Sequence, residues 1–198
     1  MVVDQGHRYS CSADRVRLLH GHARMELIAL ALVVLILVAI VGRRSKDIHA
    51  TFGLSPSRYE ILSSDLGKHK TRKTLRRNGV NGIPDAIFKS LRGKVIVIGE
   101  LKARKARGMV KYHEFYQLTL YMGHAASLNP GFEVKGVLAY SDGHFDLAYD
   151  PDVYNALMGL RSEVWDVLKT KRISDSRPLH KRMDVRRSNR RVRFSTDL

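Results

Sequence analysis

Asp85, Glu100 and Lys102 are the side chains in this chain whose types and spacing could do chemistry together. They lie in VNGIPDAIFKSLRGKVIVIGELKAR, residues 80 to 104, where a Pro-Asp pair heads one apolar run and Glu-Leu-Lys ends the next. Both runs, AIF and KVIVIG, are β-branched or aromatic-rich and too short for helices. Ser-Leu-Arg-Gly separates them, with Gly93 available for a positive φ, so the stretch predicts a β-hairpin. If Arg92-Gly93 is a two-residue loop, cross-strand partners have numbers summing to 185, and Asp85 faces Glu100. A longer loop shifts this register by about one position and keeps both carboxylates at the same end. Strand alternation then puts Glu100 and Lys102 on one face, with Leu101 turned to the other.

Carboxylates opposed across a ladder have Cβ atoms roughly 4.5–5.5 Å apart and repel, so a compensating cation is expected. Mg²⁺ takes one or two carboxylates, keeps several waters and completes its shell with phosphate oxygens. An ammonium beside it can hold a phosphate oxygen or polarise the attacking water. These parts describe metal-dependent phosphodiester hydrolysis. On spacing alone, an equal alternative is that Asp85 and Glu100 are strand-end surface residues and Lys102 pairs with one of them.

The elements that must position these residues continue the pattern. Tyr59 to Ser64 reads as a first strand, and residues 110 to 127 as a helix with Val110, Leu118, Met122 and Ala125 at roughly helical spacing. Gln117 and Tyr121 lie four apart on one face of that helix. Residues 134 to 140 form a third core strand, Ser141-Asp142-Gly143 a hairpin turn into HFDLAY, and Asp150-Pro151 an N-cap with Pro in the first turn. The stripe Val153, Leu157, Leu160, Val164 and Leu168 is expected to face the core of the last helix.

Pro84-Asp85 followed by Glu100-Leu101-Lys102 resembles the motif of the PD-(D/E)xK nuclease superfamily. The contexts Gly82 to Ala86 and Gly99 to Arg104 are similar to its RecB-like branch, in which a Gln-x-x-x-Tyr motif follows on the next helix, here Gln117 and Tyr121. The resemblance spans about residues 59 to 168. It implies an α/β restriction-endonuclease-like core, a mixed central sheet flanked by helices. It also implies Asp85 and Glu100 as ligands of Mg²⁺ or Mn²⁺ with the Leu101 carbonyl, Lys102 as the catalytic lysine, and Gln117 and Tyr121 as orienting groups. Glu60 and His69 are candidates for a further upstream metal ligand. Some members carry a four-cysteine iron–sulfur cluster. Cys11 is the sole cysteine here, which excludes that cluster, any intrachain disulfide and a four-cysteine zinc site.

A formal charge of +16 over 198 residues points to a polyanionic partner, nucleic acid or an anionic membrane. Six of the ten residues in KHKTRKTLRR, 68 to 77, are Lys or Arg. Lys70, Arg72, Lys73, Arg76 and Arg77 from this run, with Arg104, Lys105, Arg107 and Lys111 after the lysine, are the expected phosphate contacts, DNA being the favoured substrate. No base-reading motif is present. Residues 171–198 carry ten Lys and Arg against three Asp, a composition that predicts a disordered basic tail.

From Leu27 to Val41 the chain is uninterruptedly apolar, followed by Arg43, Arg44 and Lys46. Fifteen residues fall short of the roughly 20 that span a bilayer, a gap that thinning and snorkelling can close. A signal peptide lacks its cleavage site here, and a core helix would keep a polar face. A single-pass anchor is therefore expected. Arg8, Arg15, Arg17 and Arg24 oppose the charges after the span, and a start at Met25 would resolve the balance with the domain in the cytoplasm. The expected organisation is an extension at 1–24, anchor at 25–42, linker at 43–58, catalytic domain at 59–170 and tail at 171–198. A tethered nucleic-acid-binding protein without activity is the alternative function.

Overall fold

The computed structural model describes residues 48–66 and 71–196, all within one compact unit, Ser45–Leu198. The expected anchor, the 1–24 extension, Lys70 and His69 lie outside the described residues. Among the described residues, no helix is long and apolar enough to cross a membrane.

The apolar run ending at Glu100 becomes β5 (Val95–Lys102), the third of five strands. Its neighbours on either side are β4 (Ala86–Ser90) and β7 (Glu133–Tyr140), and outside them lie β1 (Tyr59–Ser64) and β8 (Gly143–Ala148). The β5–β7 pair is parallel and the other three are antiparallel, which makes this a mixed α/β fold. A strand buried on both faces needs no polar alternation, which is why VIVIG reads as a continuous apolar run. The expected register holds: Ala86 pairs Gly99, Ile87 pairs Ile98 and Phe88 pairs Val97.

A parallel neighbour requires a crossover, and α1 (Tyr112–Leu128) supplies it. It lies on the sheet face that carries Ile87, Ile96, Ile98 and Leu138, and buries Phe115, Leu118 and Met122 there. Val110, expected within this helix, belongs instead to the two-residue strand β6 (Val110–Lys111) that precedes it. The final helix, α2 (Pro151–Thr170), starts as expected: the Asp150 carboxylate accepts from the backbone N–H groups of Asp152 and Val153 at 3.0 and 3.3 Å. Val153 is buried, and Leu157 and Leu160 are half-buried. Val164 and Leu168 are exposed, contrary to the expected stripe. The buried contacts of the helix come from its first half, such as that of Tyr154 with His124 on α1, while the second half is held through the Arg182–Glu163 ion pair.

The basic run resolves into a feature that charge alone does not suggest. Leu75–Arg77 (β2) pairs with Val80–Gly82 (β3) around Asn78-Gly79, both at positive φ, 49° and 74°. That is the geometry that an Asn-Gly turn favours.

Two expected boundaries are corrected. Residues 48–58 are not a linker, because Phe52 is fully buried on the second face of the sheet, against Phe88 at 5.5 Å between ring centroids. Residues 171–196 are not a disordered tail. Phe194 sits in β9 (Phe194–Ser195), which pairs parallel with β6, and its ring lies 5.1 Å from Tyr112 and 5.2 Å from Phe115. Val185 is buried, and the Asn189 amide satisfies both backbone groups of Ala148 on the outer strand β8. A few apolar anchors and one edge-capping amide outweigh the basic composition, whose charges point outward or pair with Asp and Glu. Phe194→Ala is expected to cost about 2 kcal/mol, roughly half the penalty of emptying a fully buried Phe site. Urea unfolding would measure it, and an unchanged midpoint would return the segment to the status of a loose tail.

Candidate active site

Asp85 immediately precedes β4, and the odd-numbered β4 residue Ile87 faces α1, as do the even-numbered β5 residues Ile96 and Ile98. Continuing both alternations brings Asp85, Glu100 and Lys102 to the α1 face, with Leu101 among the apolar groups of the other face. Asp85 is fixed by its own neighbour strand: its Oδ2 accepts from the Leu101 backbone N–H at 2.7 Å.

Gln117 and Tyr121 reach the same place from α1. Lys102 Nζ donates to Glu100 Oε1 at 3.0 Å and to Gln117 Oε1 at 2.9 Å. The Gln117 Nε2 donates in turn to Glu100 Oε1 at 2.7 Å and to the Tyr121 hydroxyl at 3.0 Å. One amide thus ties the carboxylate, the ammonium and the phenol into a closed set. Tyr121 is seated over Gly82 at the end of β3, where any Cβ would meet its ring at 2.0 Å. The β2–β3 hairpin therefore forms one wall of the site.

Glu100 is only 5% exposed, and its Oε2 has no hydrogen-bond partner among the described residues. A buried acceptor without a donor costs about 1–3 kcal/mol, a cost that a water or a cation at that oxygen would relieve. Burial, reinforced by the negative charge of Asp85, raises the Glu100 pKa above its ordinary value. Two carboxylates and a nearby carbonyl suit a cation that keeps its own waters. Among the described residues, no group of three or more His, Cys, Asp or Glu gathers as a metal cage.

Glu60 does not join them. It pairs in register with Lys89, four residues along β4 from Asp85 and thus roughly 13 Å away at strand rise, and its carboxylate lies 3.8 Å from the Lys89 ammonium. The acid that the fold does bring near is Asp65, whose N–H donates to the Asp85 carbonyl at 2.8 Å and whose carboxylate pairs with Arg72 at 2.5 Å. Nothing in its local sequence marks it.

Arg104, Lys105, Arg107 and Lys111 line one cleft of about 450 Å³ with Met109 and Ser195. The Asp142 carboxylate shapes its loop by accepting from the Ala106 and Arg107 N–H groups at 2.8 and 3.0 Å. Those bonds hold the Asp142 pKa below its usual range. Lys73, Arg76 and Arg77 are exposed on the other basic segment. A larger cavity, about 1040 Å³, lies beside the first residues of β7 and the Arg187–Val192 segment, and none of the five site residues lines it.

Arg104 is committed elsewhere. Its guanidinium forks onto Glu114, Nε to Oε1 at 3.0 Å and one terminal NH₂ to Oε2 at 2.6 Å, and Tyr140 also donates to Oε2 at 2.8 Å. Burial pushes the Glu114 pKa up, but these donors outweigh it and the net shift is downward. The pair joins the residue two past Lys102 to the residue three before Gln117, so it closes the crossover that brings strand and helix groups together.

No protein-family model and no curated protein match the chain. Among solved structures it is similar to a protein designated SSO0001, with 17% identity, 80% of this chain and 71% of that chain covered, and a TM-score of 0.34. That likeness is too distant to define a fold or a function.

Two outcomes follow from this geometry. Since the Glu100 pKa is raised on folding, the metal-free fold binds more protons than the unfolded chain, and this contribution is lost as pH rises through the folded-state value. Glu100→Gln is therefore expected to melt higher than the parent at pH 7 in chelator and to lose that advantage near pH 4. Equal melting curves at both pH values would refute the burial argument. Arg104→Ala leaves the buried Glu114 carboxylate without its counter-charge, though still bonded by Tyr140, and is expected to cost about 3 kcal/mol, against about 0.5 kcal/mol or less for the exposed Lys105→Ala, in denaturant titrations.

Proposed function

We propose that this chain is a divalent-metal-dependent nuclease with a restriction-endonuclease-like core, of the RecB-like branch of the PD-(D/E)xK superfamily, hydrolysing phosphodiester bonds in DNA. The convergence of Asp85, Glu100, Lys102, Gln117 and Tyr121 around the unpartnered Glu100 Oε2 carries this reading. Lys102 and Gln117 both bond Oε1, so a cation at Oε2 would supply the partner that they do not.

Asp85, Glu100 and the Leu101 carbonyl are the groups that would hold Mg²⁺ or Mn²⁺. When bound, such an ion supplies Lewis-acid polarisation of the phosphoryl group and eases deprotonation of a water. The chain's own residues do the positioning. Lys102 has spent two of its three N–H groups on Glu100 and Gln117, which leaves one for a phosphate oxygen or the attacking water. Gln117 holds that ammonium in place, and the Tyr121 hydroxyl fixes the orientation of the amide. Lys105, Arg107 and Lys111 in the cleft formed by the segment between β5 and α1, with Arg76 and Arg77 on the hairpin, suit a sugar–phosphate backbone gripped without reading bases. Leu27–Val41 serves as the anchor, with the domain on the cytoplasmic side.

The test is cleavage of labelled linear and circular DNA by the full-length protein with Mg²⁺, Mn²⁺ or chelator. Cleavage should require metal, fall at least about 100-fold in Lys102→Ala, and weaken as salt rises. Metal-independent cutting, or full activity in Lys102→Ala, would remove the mechanism. Salt-sensitive binding with no cutting in either metal would instead mark a nucleic-acid-binding protein that has retired its site.

A further inference from the structure

Four large apolar side chains stand in solvent at the far end of α2. Val164, Trp165 and Leu168 are 55, 54 and 54% exposed, and Ile173, just beyond the helix, is 68% exposed. At helical spacing the first three fall within an arc of about 100°, and the left-handed Lys171 that ends the helix turns the chain before Ile173. Lys169, Lys171 and Arg172 surround them, all exposed and none in an ion pair among the described residues. The neighbouring cations are different: Arg177 is held by Asp175 and Arg182 by Glu163. The end of α2 thus combines an unpartnered apolar stripe with three cations against one exposed acid, Asp166.

We propose that this end of α2 docks on an anionic lipid surface, with Trp165, Val164, Leu168 and Ile173 at the headgroup–acyl boundary and Lys169, Lys171 and Arg172 on lipid phosphates. Tryptophan favours that interface because its ring is apolar and its N–H is wet. Helices with an apolar stripe and a Lys/Arg-rich flank bind by both attractions at once. Nucleic acid fits the patch less well: a base can stack on Trp165, but nothing in a polyanion offers apolar volume to Val164, Leu168 and Ile173. A second copy also fits poorly, since a two-fold contact would bring the three cations toward their own kind.

Trp165 is the only tryptophan, so its fluorescence reports on the patch alone. The full-length protein would be combined with vesicles of phosphatidylcholine, or of equal parts phosphatidylcholine and phosphatidylglycerol, carrying brominated acyl chains. The expected result is a blue shift and quenching of Trp165 in the anionic vesicles, weakened by salt. Leu168→Asp with Ile173→Asp, both at exposed positions, should abolish the quenching while circular dichroism stays unchanged. Unquenched Trp165 in the parent protein would overturn the proposal, as would quenching that persists in the double variant. A blue shift without lipid that grows with protein concentration would assign the patch to a second copy, and one produced by an oligonucleotide alone would assign it to nucleic acid. Flotation of the vesicles reads the anchor separately. Protein that floats with Trp165 unquenched refutes the patch and keeps the anchor, whereas quenching confined to anionic vesicles, with no flotation on neutral ones, keeps the patch and refutes the anchor.

Discussion

The constraint on which the site depends is the antiparallel register of β4 and β5. It holds two acids, Asp85 and Glu100, on one face at one end of a ladder, although like charges so placed repel. The surrounding groups can be understood as responses to that conflict. The Leu101 N–H neutralises part of Asp85, and Lys102 and Gln117 share one oxygen of Glu100. The other oxygen is left without a hydrogen-bond partner, a state that among the buried side chains of the described residues it shares only with the Tyr116 and Thr119 hydroxyls. The fold tolerates the local cost because the sheet on either side is well packed, with Phe88, Ile98 and Leu138 fully buried.

Much of this was legible from residues alone. Short β-branched runs, a glycine in the loop and the period of two were enough to set the hairpin register and the common face of Glu100 and Lys102, because both depend on local geometry. The pairing of Gln117 and Tyr121 with them was not legible from spacing, since it depends on how a crossover helix lies on a sheet. The Asn78-Gly79 turn was a readable signal masked by the charges around it. It converts an apparent basic loop into a hairpin whose Gly82 receives the Tyr121 ring.

The boundaries were less legible, for a physical reason. Composition reports the average of a segment, whereas its attachment depends on a few anchors. Phe52 in a stretch of turn residues, and Val185, Asn189 and Phe194 in a strongly basic one, are single residues whose burial depends on surfaces formed far away in sequence. Periodicity failed differently in α2. It identifies a stripe able to be buried but not where the neighbouring helix stops, so Val164 and Leu168 fit the pattern and remain exposed.

The parallel pairing of β6 with β9 bears on the order in which the molecule matures. Val110 meets Phe194, 84 positions further along the chain, and this contact secures the segment that connects Lys102 to Gln117. During synthesis every strand of the five-stranded sheet is made before Phe194, and domains assemble from their earlier parts first. Distant pairings are also the slowest to close. The strap that steadies the β5–α1 crossover therefore closes after the elements that it steadies.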